Sequence, residues 1–166
     1  PYLYAWTSEP WKTQYWLREI LNKMYRNDIN GLGGNDDCGQ MSAWYMFNCI
    51  GFYPVAPSSN MYNIGSPCVE AITVRMSNGK VIEMVADNWS PKNVYVKELY
   101  VNGKKYDKSY LKYEDIRDGV KLRFVMSSKP NYKRAVSDEA VAPSLSLPGK
   151  TMKYQVNLMK TGISNQ

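Results

Sequence analysis

The sequence contains no histidine. Ser-His-Asp and Cys-His catalysis, and every histidine-ligated metal site, are thereby removed from this chain. Cysteine is scarce too: Cys38, Cys49 and Cys68 are odd in number and form no CxxC pair. Neither a zinc site nor a full disulfide framework is indicated, and the three read as small buried apolar residues. No apolar run is long enough to span a bilayer, and the sequence opens at Pro1 with no initiator Met or signal peptide in view. The expectation is a piece of something larger.

A concentrated basic patch is also missing. The net charge is +6, yet of the 21 Lys and Arg only Lys12, Arg18, Lys23 and Arg26 fall within residues 1–56, beside five acids. The rest scatter through strand-like stretches and turns, as at Lys104 and Lys105 or Lys133 and Arg134. A nucleic-acid footprint needs a basic face with base-contacting side chains. A solvated sheet surface is the better reading, with no nucleic-acid partner. What is plentiful is aromatic: 13% of the residues, with 14 Tyr and 5 Trp, against 44% hydrophobic residues in all. That apolar content fits a globular chain, and such side chains serve as core, interface or sugar-stacking surface.

The chain divides into two halves of different kinds, 1–56 and 57–166. From Pro10 to Arg26, Leu17, Ile20, Leu21 and Met24 recur at helical spacing with Arg18, Glu19, Asn22 and Lys23 between them. This predicts an amphipathic helix with Pro10 or Trp11 in its first turn. Residues 27–34 carry turn signals, and a second helix is predicted from about Cys38 to Ile50, stopped by Gly51. Met41, Ala43, Trp44, Tyr45, Met46, Phe47, Cys49 and Ile50 leave that helix almost no polar face. A helix apolar all round is buried all round, and two helices cannot bury it. Its partners should lie outside this chain.

After Pro57 the period changes. Residues 69–76, 81–86, 93–101 and 120–126 are β-branched and aromatic runs of strand length, and Asn78-Gly79 and Asn102-Gly103 are hairpin turns. Further strands are expected at 110–113 and 152–158, with loop at 136–148. The fold class is therefore α+β, with N-terminal helices followed by an antiparallel β-sandwich-like region.

Within the first half lies GLGGNDDCGQMSAWY, residues 31–45, where Asn35, Asp36 and Asp37 precede the buried helix. One aspartate could cap the helix while the other is solvated. The glycines lack the Lys-Ser/Thr of a phosphate loop. An EF-hand register with Gly31 sixth would place Arg26 first, where an acid is required. A helix N-terminus favours the charged carboxylate, which suits a base or an electrostatic stabiliser and does not suit a general acid. If the pair is catalytic, the setting supports a water-activating base, and the acid must come from elsewhere.

GLGGNDDCGQMSAWYMFNCIGFYP, with YNIGSP at 62–67, resembles the signature of glycoside hydrolase family 92, the calcium-dependent exo-acting α-mannosidases. PYLYAW and PWKTQ upstream, and NVYVKELYVNGKKYDKSYLKYEDI downstream, are similar to flanking segments of the same family. The resemblance covers roughly residues 1–130. It implies that residues 1–56 are the last helices of an (α/α)6 catalytic barrel, with the N-terminal part of the same enzyme missing here. It further implies an exported protein that removes terminal α-linked mannose from glycans with inversion. Inversion uses an acid and a water-activating base about 6.5–9.5 Å apart. By resemblance Asp37 is the base, with Asp36 as alternative or helper, and Asn35 lines the mannose site. Trp11, Thr13 and Gln40 are substrate-side candidates by the same route. The general acid lies outside this chain, so the chain alone is expected to be inactive. Calcium is implied as cofactor; its ligands are unassigned, with Glu9 beside PWKTQ as a weak candidate or simply a solvated first-turn acid.

A reading from another class makes the chain a non-catalytic carbohydrate-binding or scaffolding module. Exposed Trp89 and Tyr95 would then form its sugar platform.

Overall fold

The computed structural model describes residues 1–144; the expected strand at 152–158 and the end of the expected loop lie outside the described residues. A short 3-10 segment, Tyr2–Trp6, leads into helix α1, Pro10–Met24. Pro10 occupies the first turn, where its missing N–H costs nothing and its fixed φ suits the helix. The inner face of α1 differs from the apolar stripe read in the sequence. Pro10, Thr13, Gln14, Leu17, Arg18 and Leu21 are buried at helical spacing, while Met24 is 48% exposed. Three polar side chains thus face inward, and each has a backbone partner. The Thr13 hydroxyl donates to the Pro1 carbonyl at 3.1 Å. Arg18 Nη1 donates to the Pro67 carbonyl at 2.6 Å, and Gln14 Oε1 accepts the Val96 amide at 2.9 Å.

Helix α2 runs Gln40–Ile50 and stops at Gly51, whose φ of 103° belongs to the left-handed region. A Cβ at that glycine would meet the Phe124 ring at 2.9 Å, so the helix end and the sheet close on one another there. Only Asn48, Cys49 and Ile50 of α2 are buried, and Met46 is 53% exposed. Trp16 on α1 is 45% exposed and Leu3 80% exposed, so the described residues leave much of the apolar character of the helical part uncovered.

The β part has two sheets. Strands β1 (Phe52–Tyr53), β2 (Met61–Ile64) and β7 (Tyr110–Lys112) form a three-stranded antiparallel sheet in the order β1-β2-β7. Strands β3 (Ala71–Arg75), β4 (Val81–Asp87), β5 (Tyr95–Val101), β6 (Lys104–Lys105) and β8 (Val120–Ser127) form the second, in the order β3-β4-β8-β5-β6. Both expected hairpins are present, β3–β4 around Asn78-Gly79 and β5–β6 around Asn102-Gly103. The second sheet is mixed rather than purely antiparallel, because β4 and β8 pair in parallel. A short helix α3, Tyr113–Ile116, precedes β8.

Alternation along β4 and β8 sends Ile82, Met84 and Ala86, then Leu122, Phe124 and Met126, to one face. These pack with Phe52, Ile64 and Leu111 of the other sheet and with Ile50 from the end of α2. The opposite face carries the scattered charge as exposed pairs, Lys121 with Glu83 and Arg123 with Asp87. Residue 56 lies between β1 and β2, which belong to the same sheet. Residues 131–144 have no strand of their own and strap the ends together. Ala142 donates to the Ala5 carbonyl at 2.9 Å, and Trp6 Nε1 donates to that of Pro143 at 3.0 Å.

One irregularity joins the two parts. The β5–β8 register shifts between Val96 and Glu98, a bulge that disrupts the ladder. The Val96 amide is the one that Gln14 of α1 takes up.

Candidate active site

The chain leaves α1 at Tyr25 in extended conformation, and Tyr25 bridges Leu32 across a tight loop. Arg26 donates its amide to the Gly31 carbonyl at 2.8 Å, and Gly31 donates to the Asp28 carbonyl at 2.9 Å. The Asp28 carboxylate accepts the Asn30 amide at 2.8 Å and Arg26 Nε at 3.1 Å. Closure this tight leaves no room for a side chain: a Cβ on Gly31 would stand 1.9 Å from the Arg26 carbonyl oxygen. Gly33 then passes over Met24, and the chain enters Asn35, Asp36 and Asp37.

The two aspartates have different surroundings. Asp36 is half-buried and reaches forward to α2. Its Oδ1 accepts the amides of Met41 at 2.8 Å and Ser42 at 3.0 Å, and its Oδ2 accepts the Ser42 hydroxyl at 2.6 Å. These are the orphan donors of the first helical turn, so Asp36 caps α2 from outside the usual cap position, which Gly39 occupies. The Ser42 hydroxyl first, and the Ser42 and Met41 amides with it, hold the Asp36 carboxyl below its usual range. Asp37 begins a 3-10 turn and is exposed; its backbone carbonyl accepts the Gln40 amide, while its carboxylate has no hydrogen-bond partner among the described residues.

After Asp37 the helix does not start at Cys38, as the apolar pattern suggests. Cys38 has φ 54° and Gly39 φ 76°, two successive left-handed residues that turn the chain before Gln40 opens α2. A left-handed cysteine is uncommon and costs conformational energy. Cys38 is also exposed rather than buried, unlike Cys49. Asn35 and Gln40 are exposed on either side of the aspartates.

An aromatic wall stands behind this loop. Tyr25 stacks on Trp44 with ring centroids 5.5 Å apart, and its hydroxyl donates to the Met41 carbonyl at 3.2 Å. Burial, and then the Asp36 charge, push the Tyr25 phenol up. Trp44 in turn meets Tyr2 and Tyr53 edge-on, at 6.5 and 6.4 Å. Buried Asn48 accepts the Tyr2 hydroxyl at 2.8 Å and donates to the Trp44 carbonyl at 2.7 Å, which pins this wall to α2. A shallow hollow of about 490 Å³ lies to one side, between Tyr25, Gly31, Leu32, Ser42, Tyr45 and Met46. It shares Ser42 with the Asp36 anchor but is not lined by either aspartate.

The other sequence candidates sit elsewhere. Trp11 and Thr13 are in the first turns of α1, while the loop packs on Met24 in its last turn. At 1.5 Å per residue they are on the order of 15–20 Å away along the axis. Trp11 packs edge-on to Tyr132 at 5.3 Å, and Thr13 is fully buried with its hydroxyl on Pro1. Glu9 pairs with Lys12 at 2.6 Å. Trp89 packs against the sandwich core and Tyr95 lies against Trp11, so these two do not form an open sugar platform.

Calcium requires about six to eight oxygen ligands. Among the described residues no three His, Cys, Asp or Glu side chains converge, so these residues do not supply a calcium shell by themselves. Ser42 and Tyr25, the two side chains that hold Asp36 and Met41 in place, are not marked as site residues by the motif. A serine in the first turn of a helix preceded by an acid was the available signal for Ser42.

The profile of the glycosyl hydrolase family 92 catalytic domain matches residues 1–128. A family GH92 α-mannosidase, BT3965 from Bacteroides thetaiotaomicron, is 80% identical with a TM-score of 0.88, over 93% of this chain and 21% of that one. Its complex with mannoimidazole matches similarly, at 79% identity, over 95% of this chain and 21% of that one, with a TM-score of 0.88. The family GH92 inverting mannosidase BT2199 from the same organism is 36% identical over 86% of this chain and 19% of that one, with a TM-score of 0.80. An uncharacterized secreted glycosidase from Arthroderma benhamiae is 26% identical over 147 residues, 87% of this chain and 19% of that protein. The chain spans about a fifth of the length of these relatives.

Proposed function

This chain belongs to glycosyl hydrolase family 92, and from that premise we propose that it forms part of an inverting exo-α-mannosidase and supplies the general base. Asp37 is the base: its carboxylate takes a proton from water as the water oxygen bonds to the anomeric carbon and the glycosidic C–O bond breaks. An acid outside the described residues gives its proton to the leaving oxygen across the sugar. Asp36 is the helper, since its carboxylate is already committed to the Met41 and Ser42 amides and the Ser42 hydroxyl. That asymmetry is the observation that carries the assignment: of two adjacent carboxylates, one is spent on the helix and the other stands exposed beside it. Asn35 and Gln40 flank the pair and line the mannose side.

Helices α1 and α2 are, on this reading, the last of an (α/α)6 barrel whose other helices cover Trp16 and Met46. Trp11 and Thr13 are left out of the sugar site, because they lie at the far end of α1 and Thr13 has no free face. The substrate is a glycan with terminal α-mannose, in keeping with a relative solved with mannoimidazole. Export is in keeping with a relative named as secreted, and no helix among the described residues is long and apolar enough to cross a membrane. Calcium belongs to the whole enzyme on this proposal, with most of its oxygen ligands from outside the described residues.

The deciding experiment is Asp37→Asn in the full-length protein. An inverting enzyme loses turnover and keeps its affinity for mannoimidazole; unchanged turnover removes Asp37 from the chemistry.

A further inference from the structure

Three features outside the catalytic loop remain unused by the reaction. Cys49, near the end of α2, and Cys68, just past β2, face each other with their sulfurs 2.7 Å apart, and both thiols are free. They come from segments 19 residues apart in sequence, brought together where α2, the loop after β2 and α1 meet. Arg18 of α1 is 3% exposed, gives Nη1 to the Pro67 carbonyl next to Cys68, and leaves Nε without a hydrogen-bond partner among the described residues.

A buried guanidinium beside two sulfurs is an unusual thing for a core to keep. Its charge is costly there unless something negative answers it. A thiolate is the available answer, and a thiolate is also the form that attacks a disulfide. The hydrogen bond from Cys68, with Tyr45 and Arg18 adding to it, pulls the Cys49 thiol below its ordinary range. The same contact and burial push Cys68 up, so Cys49 is the member of the pair that ionises more readily.

We propose that Cys49 and Cys68 are an oxidisable pair that closes to a disulfide, a covalent clamp between the end of α2 and the start of the larger sheet. The oxidant is a small-molecule or protein disulfide. The Cys49 thiolate attacks one of its sulfurs, forming a mixed disulfide and releasing one thiolate. Cys68 loses its proton and attacks the Cys49 sulfur, forming the Cys49–Cys68 bond and releasing the second thiolate. Two electrons pass to the oxidant, which ends as two thiols. Helix α2 carries the Asp36 anchor at its other end, so the clamp fixes the element that supports the catalytic loop. Exposed Cys38 lies at the far end of α2 and takes no part.

The test is thiol mapping of the full-length protein after incubation with oxidised glutathione. Free thiols are blocked with N-ethylmaleimide in denaturant, and the protein is digested without reduction for mass spectrometry. The expected product is one cross-linked species joining the peptides of Cys49 and Cys68, lighter than their sum by two hydrogens and separated by dithiothreitol. Cys38→Ser should give the same cross-link. Maleimide on both Cys49 and Cys68, or glutathione on either without the cross-link, overturns the proposal. A link from either one to Cys38 overturns it too. Because the mapping is done on the unaltered protein, it does not depend on a cysteine variant folding.

Discussion

Asp36 and Ser42 hold each other across the start of α2, the carboxylate accepting the hydroxyl at 2.6 Å and the amides of Met41 and Ser42 besides. Six residues apart, they turn a glycine-rich loop into a defined platform and leave Asp37 as the unengaged carboxylate next to it. Every variant named below is made in the full-length protein.

The Asp36 carboxyl is held low in the folded state, so its contribution to stability has a fixed sign with pH. It is present above the unfolded carboxyl's pKa of about 3.9 and is lost as pH falls through the lower folded value. Asp36→Asn should therefore lower Tm at about pH 7 and differ less from the wild type at about pH 3. An equal Tm difference at both pH values would contradict the capping role.

Asp37→Asn should reduce kcat by roughly 10²–10⁴-fold, the usual share of a general base. Mannoimidazole affinity, measured by calorimetry, should stay within a few-fold of the wild type. Asp36→Asn should instead combine a smaller loss of kcat with a lower Tm. If the two variants exchange these phenotypes, Asp36 is the base.

Gly31→Ala places a Cβ 1.9 Å from the Arg26 carbonyl oxygen and 2.8 Å from that of Asp28, both backbone atoms that cannot step aside. A cost of about 1–3 kcal/mol is expected from such overpacking, with a loss of activity through the displaced loop. Denaturant unfolding together with kcat measures both. Wild-type stability and kcat would show that the loop is looser than its hydrogen bonds indicate.

Asn48→Leu removes the acceptor of the Tyr2 hydroxyl and leaves that group buried without a partner. The penalty should be about 1–3 kcal/mol. The double variant with Tyr2→Phe should recover part of it, because the stranded hydroxyl is then gone. Strict additivity in a double-mutant cycle would rule out the contact.

Local chemistry was the legible part of this molecule. The Asn-Gly hairpins, the Pro-led α1 and the Gly51 stop all depend on residues adjacent in sequence, and all are in place. Strand β1 has two residues and β2 four, too short to establish a period. The parallel pairing of β4 with β8 joins segments more than thirty residues apart and leaves no mark in either strand. Apolar patterning placed the start of α2 at Cys38, but left-handed geometry at Cys38 and Gly39 delays it to Gln40. The same kind of limit applied at the loop. Residue types drew attention to both aspartates, and only their hydrogen bonds separate one from the other. Burial of Thr13 and Arg18 escaped notice because a polar residue on a helix reads as surface until its backbone partner is known.

The bond from Gln14 to the Val96 amide has a practical consequence for anyone recombining such proteins. It joins a helix on the catalytic side to a bulge in the sandwich, across 82 positions of sequence. A crossover anywhere between those positions takes one member of the pair from each parent. Chimeras that exchange the β region should therefore carry the donor's α1 along with it, or choose parents that share both the glutamine and the bulge.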